Sequence, residues 1–460
     1  MKLVKMSLAA AVLLGASAFA IDNIKMSGDA KLYYGTSNAD RTGATPGTMI
    51  PAAPGALNAG TSSELFSKGN SIADTALRLG VTGDLTKGVS FGVTGYAVST
   101  LGLENNLVSN TWTGAHGAAF NGSSIGAEVN DQAWIGEAWI AATLGKTTAK
   151  LGRMELDTPL AFSEKWSVVP NTFEGAVVLN QDIPDTTLVG AWVGKGNGFN
   201  AVNPVGLGIN NTPFGGVGID GIVGAEAAQH TFANDGAYAA AVVNNSFKPL
   251  TAQAWYYNVV NVADAYWLQA DIACSLVKGL KIGAQYADIS PKGALQTAAI
   301  GLFGAELKDS DAYAGKLGYE GVENLKVSAA YSKVDKDGTL KIANVATNNL
   351  GAAQSKLYTE AYWNYGYVGA AGAESWNVTA EYDIKDIVKL GAYYTDVNNK
   401  SVANANHEMT EVALTASKSF GPLDATLAYF STDAKDQNQR TALDSGRRYD
   451  SVLAMLQLNF

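Results

Sequence analysis

From Ile24 to Tyr34 the chain alternates. Ile24, Met26, Gly28, Ala30, Leu32 and Tyr34 take every second position, and Lys25, Ser27, Asp29, Lys31 and Tyr33 fill the gaps. Successive side chains of a strand point to opposite faces, so this period of two predicts one apolar and one polar face. The run lasts about eleven residues, the length of a tilted strand that crosses a bilayer, whereas strands of soluble sandwiches average about five or six. Charges on the second set would be ruinous in hydrocarbon, so that set should face water.

The same design recurs along the chain. Further runs are predicted at 73–85, 89–99, 133–144, 147–155, 173–180, 186–195, 238–247, 250–260, 265–276, 280–289, 312–319, 325–334, 374–384, 388–397, 408–419, 424–432 and 449–460. Short turns such as Thr86-Lys87-Gly88, Gly145-Lys146, Lys278-Gly279 and Gly421-Pro422 alternate with long connectors at 36–72, 196–235 and 335–373. This parity predicts an all-β fold: a transmembrane antiparallel β-barrel of about 18 strands (16 being the other count), with short periplasmic turns and long extracellular loops. Closure removes the sheet edge, which lipid would not tolerate. The last run puts Val452, Ala454, Leu456, Leu458 and Phe460 on one face, and it must pair with the first run to close the ring.

Composition agrees with a wall that is apolar on one side and wet on the other. Hydrophobic residues make up 47 % and mean hydropathy is +0.02, with Gly 50 and Tyr 20. Aromatics gather near strand ends at Tyr33-Tyr34, Trp255-Tyr256-Tyr257, Tyr266-Trp267, Tyr393-Tyr394 and Tyr429-Phe430, which predicts girdles at the headgroup level. At the start, Lys2 and Lys5 precede the apolar Leu8 to Gly15, and Ala18-Phe19-Ala20 is an A-x-A site. Residues 1–20 thus read as a signal peptide cleaved after Ala20, leaving 21–460 as one barrel domain in the bacterial outer membrane. Cys274 stands alone and cannot form an internal disulfide; its apolar surroundings suggest a small buried hydrophobe.

The formal net charge is −10, which argues against a nucleic-acid partner and fits a channel whose field favours cations. The candidate constriction is the connector at about 156–172, expected to fold into the lumen, because Leu160, Phe162, Trp166, Val168 and Val169 make it too apolar for a solvated loop. Its neighbourhood supplies Arg153, Glu155, Asp157, Glu164, Lys165 and Glu174, fixed charges that can screen solutes by size and sign. The alternation of 147–155 is poor and leaves the direction of Arg153 open. Strands of cleaner parity add Lys31, Asp29 and Arg78 as lumen residues, any of which is also explained by ordinary lumen polarity. Other motifs carry little. Gly216 to Gly221 matches G-x-G-x-x-G but lacks a strand–helix context. Asp335-Lys336-Asp337-Gly338 lacks the rest of a calcium loop and reads as a polar loop start. His116, His230 and His407 lack metal-ligand spacing, and no G-x-S-x-G occurs, so no enzymatic chemistry is indicated.

Met1 to Lys5, the first strand, and the stretch from Leu151-Gly152-Arg153 through Leu156-Asp157-Thr158-Pro159 to Pro170-Asn171-Thr172-Phe173-Glu174 resemble the Campylobacter-type major outer membrane proteins, porins of epsilonproteobacteria. The resemblance implies an 18-stranded barrel, a homotrimer in outer-membrane lipids, and passive diffusion of small hydrophilic, often cationic, solutes. It also implies calcium in the channel of some relatives, but no ligand set transfers to positions here, so no cofactor or metal site is assigned. The terminal Phe460 resembles the signal read by the barrel assembly machinery. The competing expectation is a surface or adhesin barrel whose long loops bind partners.

Overall fold

The computed structural model describes residues 21–38, 64–68, 71–99, 101–103, 107, 132–166, 168–197, 230–231, 236–344, 353–401, 408–434 and 448–460. Eighteen strands form the wall among them: β1 (Asp22–Ser37), β2 (Ser71–Thr86), β3 (Val89–Ser99), β4 (Gln132–Leu144), β5 (Thr147–Met154), β6 (Phe173–Asn180), β7 (Thr186–Gly196), β8 (Ala237–Asn244), β9 (Leu250–Val259), β10 (Ala263–Ala273), β11 (Leu280–Pro291), β12 (Ser310–Val322), β13 (Leu325–Val334), β14 (Ala373–Ile384), β15 (Val388–Asn399), β16 (Met409–Phe420), β17 (Leu423–Ala434) and β18 (Arg448–Asn459). A two-residue ladder at His230–Thr231 extends the end of β7. Each strand pairs antiparallel with its chain neighbours, and β18 pairs with β1 from Asp29↔Asn459 to Ser37↔Ser451. The ring is closed, and every run expected from the sequence is a strand of it. No described helix is long and apolar enough to cross a membrane, so crossing belongs to the strands.

Alternation sets the two faces. Leu77, Leu79, Ile140, Leu151, Leu268, Leu317, Leu414 and Leu427 are exposed on the outer face, while their neighbours on the inner face are polar or packed against inward-folded segments. The aromatic doublets divide between these faces. Tyr256, Tyr266, Tyr394 and Tyr429 are exposed, whereas Tyr257, Trp267, Phe430 and Tyr33 are buried inside. Only one member of each doublet therefore serves a girdle, because neighbouring strand residues cannot share a face.

The interior is not empty. The connector after β5 and the described parts of the connector after β13 both fold inward. Leu160 packs in one cluster with Tyr257, Leu340, Leu357 and Tyr367, and Val168 and Val169 pack in another with Tyr33, Trp363 and Phe430. The 335–373 connector, expected as an exposed loop, thus packs within the wall from Leu340 to Asn344 and over 353–373, while Lys336 and Asp337 at its start are exposed. The helix α1 (Gly293–Phe303), which the strand pattern did not foresee, follows β11 and buries Leu295 and Ala299. Cys274 lies just past β10 and is half-buried rather than inside an apolar strand. The proposed signal peptide, His116, His407 and Gly216 to Gly221 lie outside the described residues.

Candidate pore waist

Register brings the first site residues together. Asp29 on β1 lies directly opposite Arg78 on β2, with both on the inner face. Arg78 Nε donates to Asp29 Oδ1 at 2.7 Å, and Arg78 Nη1 reaches Glu155 Oε1 at 3.3 Å. Glu155 Oε2 is in turn 3.2 Å from Lys165 Nζ. A chain of alternating charge, Asp29–Arg78–Glu155–Lys165, therefore ties the wall to the inward loop. The Arg78 guanidinium also lies 5.9 Å from the Tyr96 ring centroid, within cation–π reach. Lys31 is buried on the same face, two positions from Asp29.

The loop itself is built from small motifs. Thr158 N–H and Thr158 Oγ1 both donate to the Ala161 carbonyl, closing a tight turn, and Ser163 N–H donates to the Leu156 carbonyl. Leu160 at the turn tip is buried, and its N–H lies 3.4 Å from the Tyr257 hydroxyl on β9. The loop thus spans from β5 to a distant part of the wall. Asp157 is largely exposed and forms an ion pair with Lys356, whose ammonium also lies 4.6 Å from the Phe162 ring centroid.

Three expected waist residues sit elsewhere. Glu164 is only 2 % exposed and does not face the lumen. Its carboxylate accepts from Trp166 Nε1 at 2.8 Å and Asn344 Nδ2 at 3.1 Å, so it organises the loop and clips it to the second one. Arg153 and Glu174 are turned to the outer face. Gly152 pairs with Gly175 and Met154 with Phe173, and Phe173 packs inside with Val193 and Leu156. Alternation then sends Arg153 and its cross-strand partner Glu174 outward, where Arg153 Nη2 donates to Glu174 Oε1 at 2.7 Å. The poor alternation of this strand hid that direction.

The second inward loop supplies groups the sequence reading missed. Glu411 on β16 accepts the N–H groups of Trp363 and Asn364 and the Asn364 side-chain amide at 2.6 Å. Trp363 stacks between Tyr33 and Phe430 at 6.3 and 5.0 Å. Farther along the wall, Tyr358 donates to Asp271 Oδ1 at 2.6 Å, and Lys316 lies 4.3 Å from its ring centroid. Burial, then the neighbouring Asp271 carboxylate, pushes the Tyr358 phenol up. Burial also pushes the Glu360 carboxyl up to about 8, helped by Glu411 and opposed by the N–H groups of Ser355 and Ala361 and by Lys341. The available signal was aromatic content: Tyr358, Tyr362, Trp363, Tyr365 and Tyr367 are as unsuited to a solvated loop as the residues of 156–172.

Residues 68–445 match a family described as the outer membrane porin, OprD family. The chain belongs to the OprD family. Solved barrels of similar architecture agree in fold. OccK8 (OprE) of Pseudomonas aeruginosa superposes with a TM-score of 0.65 at 17 % identity, covering 95 % of this chain and 98 % of its own. OccAB1 of Acinetobacter baumannii gives 0.64 at 14 % identity, covering 95 % and 96 %. Pseudomonas aeruginosa OpdK, solved with vanillate, gives 0.62 at 13 % identity, covering 95 % and 98 %. No curated protein matches by sequence. As an OprD-family porin, the chain is a β-barrel of the bacterial outer membrane.

The calcium implied by the sequence resemblance finds no fitting donor set. Asp29, Glu155 and Asp157 are each paired with a basic side chain, and no group of three or more suitable ligands converges among the described residues.

Proposed function

We propose that this OprD-family porin is a passive channel for small hydrophilic solutes, narrowed where loops 156–172 and 353–372 meet, with a preference for cations. The carrying observation is the Asp29–Arg78–Glu155–Lys165 chain, which fixes charges of both signs where the first loop leaves the wall. Fixed charges in a narrow aqueous passage select by sign and size, and no covalent step is needed. The net charge of −10 supports cation preference. In planar bilayers the folded protein should conduct, and the reversal potential in a salt gradient should have the sign of cation selectivity. Folded protein without conductance would overturn the channel reading.

A second reading follows from Lys165 and Lys356, whose side chains are 71 % and 33 % exposed. They suit a small organic anion, and vanillate, named with OpdK, is a carboxylate. An anion-selective reversal potential would favour this reading over the first. The adhesin alternative loses support at 335–373, most of whose described residues are packed inside the wall. A homotrimer, kinship with the Campylobacter-type proteins, cleavage after Ala20 and engagement of the assembly machinery through Phe460 belong to the same proposal. They rest on the sequence patterns that suggested them.

A further inference from the structure

The outer face of β4 to β7 differs from the rest of the wall. A cleft of about 630 Å³ opens there, lined by Ile135, Ala138, Leu151 and Trp192, with Gly194 and Gly236 as its floor. A Cβ at either glycine would come within 2.8 Å of the Trp192 indole, so only bare backbone lets the ring lie against the wall. At the loop end of this cleft stand Arg153, Glu174 and Lys195. Arg153 is held by two donations to Glu174 and by Nη1 donating to the Ile135 carbonyl at 2.6 Å. Lys195 Nζ is 3.8 Å from Glu174 Oε2 and nearly half exposed. Two cations thus share one carboxylate, and the group carries a net positive charge.

What sets this group apart is the apolar cleft beside it. Elsewhere on the outer face near the loop ends, Lys292 pairs with Asp264, Asp288 lies opposite Asp311, and Glu374 serves Lys333 and the nearby Lys400. Trp192 faces outward opposite the exposed Tyr238 on β8, an aromatic pair of the kind that gathers at a membrane interface, and Lys195 lies three residues nearer the loops, about 10 Å at a strand's rise. A guanidinium oriented by a fixed partner, beside a free-ended ammonium, is suited to phosphate oxygens.

We propose that this cleft binds one phosphorylated lipid of the outer leaflet, its phosphate between Arg153 and Lys195 and an acyl chain along Leu151, Ile135 and Trp192. The site is independent of the pore. The test is native mass spectrometry of the detergent-purified barrel, with bisphosphorylated lipid A and its dephosphorylated form as probes. The wild type should retain the phosphorylated lipid and release the other. Arg153→Gln with Lys195→Gln should weaken retention about tenfold or more. Lys333→Gln should leave it unchanged. Should the double variant assemble poorly, Lys195→Gln alone, which alters only an exposed side chain, should still lower retention several-fold while conductance stays at the wild-type value. Equal retention of both lipids, undiminished binding by the Lys195 variant, or occupation of the face by a second copy without lipid would each overturn the proposal.

Discussion

Arg78 is the hinge of the waist because it is shared. Its guanidinium serves Asp29 on one side and Glu155 on the other, and Glu155 also serves Lys165. Removing Arg78 takes one positive charge from a group that keeps the Asp29 and Glu155 carboxylates and the Lys31 and Lys165 ammonium groups. Arg78→Gln should therefore shift the reversal potential toward cations, and Lys165→Gln should shift it in the same direction. A shift toward anions in either variant would contradict the pairing. The shared carboxylate predicts coupling as well: the double variant should differ from the sum of the singles, as neighbours in one network do. At this scale the sequence was partly legible. Asp29, Lys31 and Arg78 lie on strands with clean alternation, so their direction could be read from residue parity. Arg153 lies beside Gly152, whose φ of +130° departs from strand geometry, and Glu174 lies at a register shift between β6 and β7. Such irregularities break the period of two, and with it the only local signal of which face a side chain takes.

Among the elements, strands could be read from sequence and inward loops only in part. A strand announces itself through neighbours two positions apart, whereas a loop that folds inward is stabilised by residues far away in the chain, 48 positions for Trp363 and Glu411 and 182 for Phe162 and Asn344. The Asn344 side-chain amide accepts from the Phe162 N–H and donates to the Phe162 carbonyl, and Glu411 accepts from the N–H groups of Trp363 and Asn364. Apolar content betrayed 156–172, but its equivalent in 353–372 was diluted by the length of that connector. The second loop also carries a pH dependence. Glu360 accepts from Ser355 N–H and from Ala361 N–H at 3.0 Å, and its carboxyl is pushed up to about 8. An unfolded glutamate titrates near about 4.3. The folded loop therefore holds the proton longer than the freed loop does. Its contribution to stability is full below about pH 4, falls as the pH rises, and is lost once the pH passes about 8. Current fluctuations in single-channel records should grow as the pH is raised across that window. Glu360→Gln should flatten the dependence, and a wild-type record with equal noise at both ends of the window would refute it.

The whole molecule depends on one seam. β1 and β18 are the most distant strands in the chain and must meet last in sequence to remove the open edge. Where they end, Gly28 and Phe460 exchange two backbone hydrogen bonds of 2.7 and 3.0 Å. A Cβ at Gly28 would lie 2.4 Å from the Arg78 carbonyl oxygen and 2.7 Å from the Phe460 ring. The ring could turn aside, but the carbonyl belongs to the β1–β2 ladder and cannot move without breaking it. Glycine at this position thus lets the terminal aromatic lie against the first strand, so closure of the ring and the seating of Phe460 share one contact. Gly28→Val should lower the yield of folded barrel sharply, read as loss of the compact, heat-sensitive band in unheated electrophoresis. Gly190→Ala, where nothing lies within 4 Å of the added carbon, should assemble normally. Deleting Phe460 removes the ring and both hydrogen bonds but relieves no clash, so it should slow assembly while leaving the barrels that do form conductive. Wild-type yield from Gly28→Val would show that the seam tolerates a side chain there, and that closure is held by the nine-residue register beyond it.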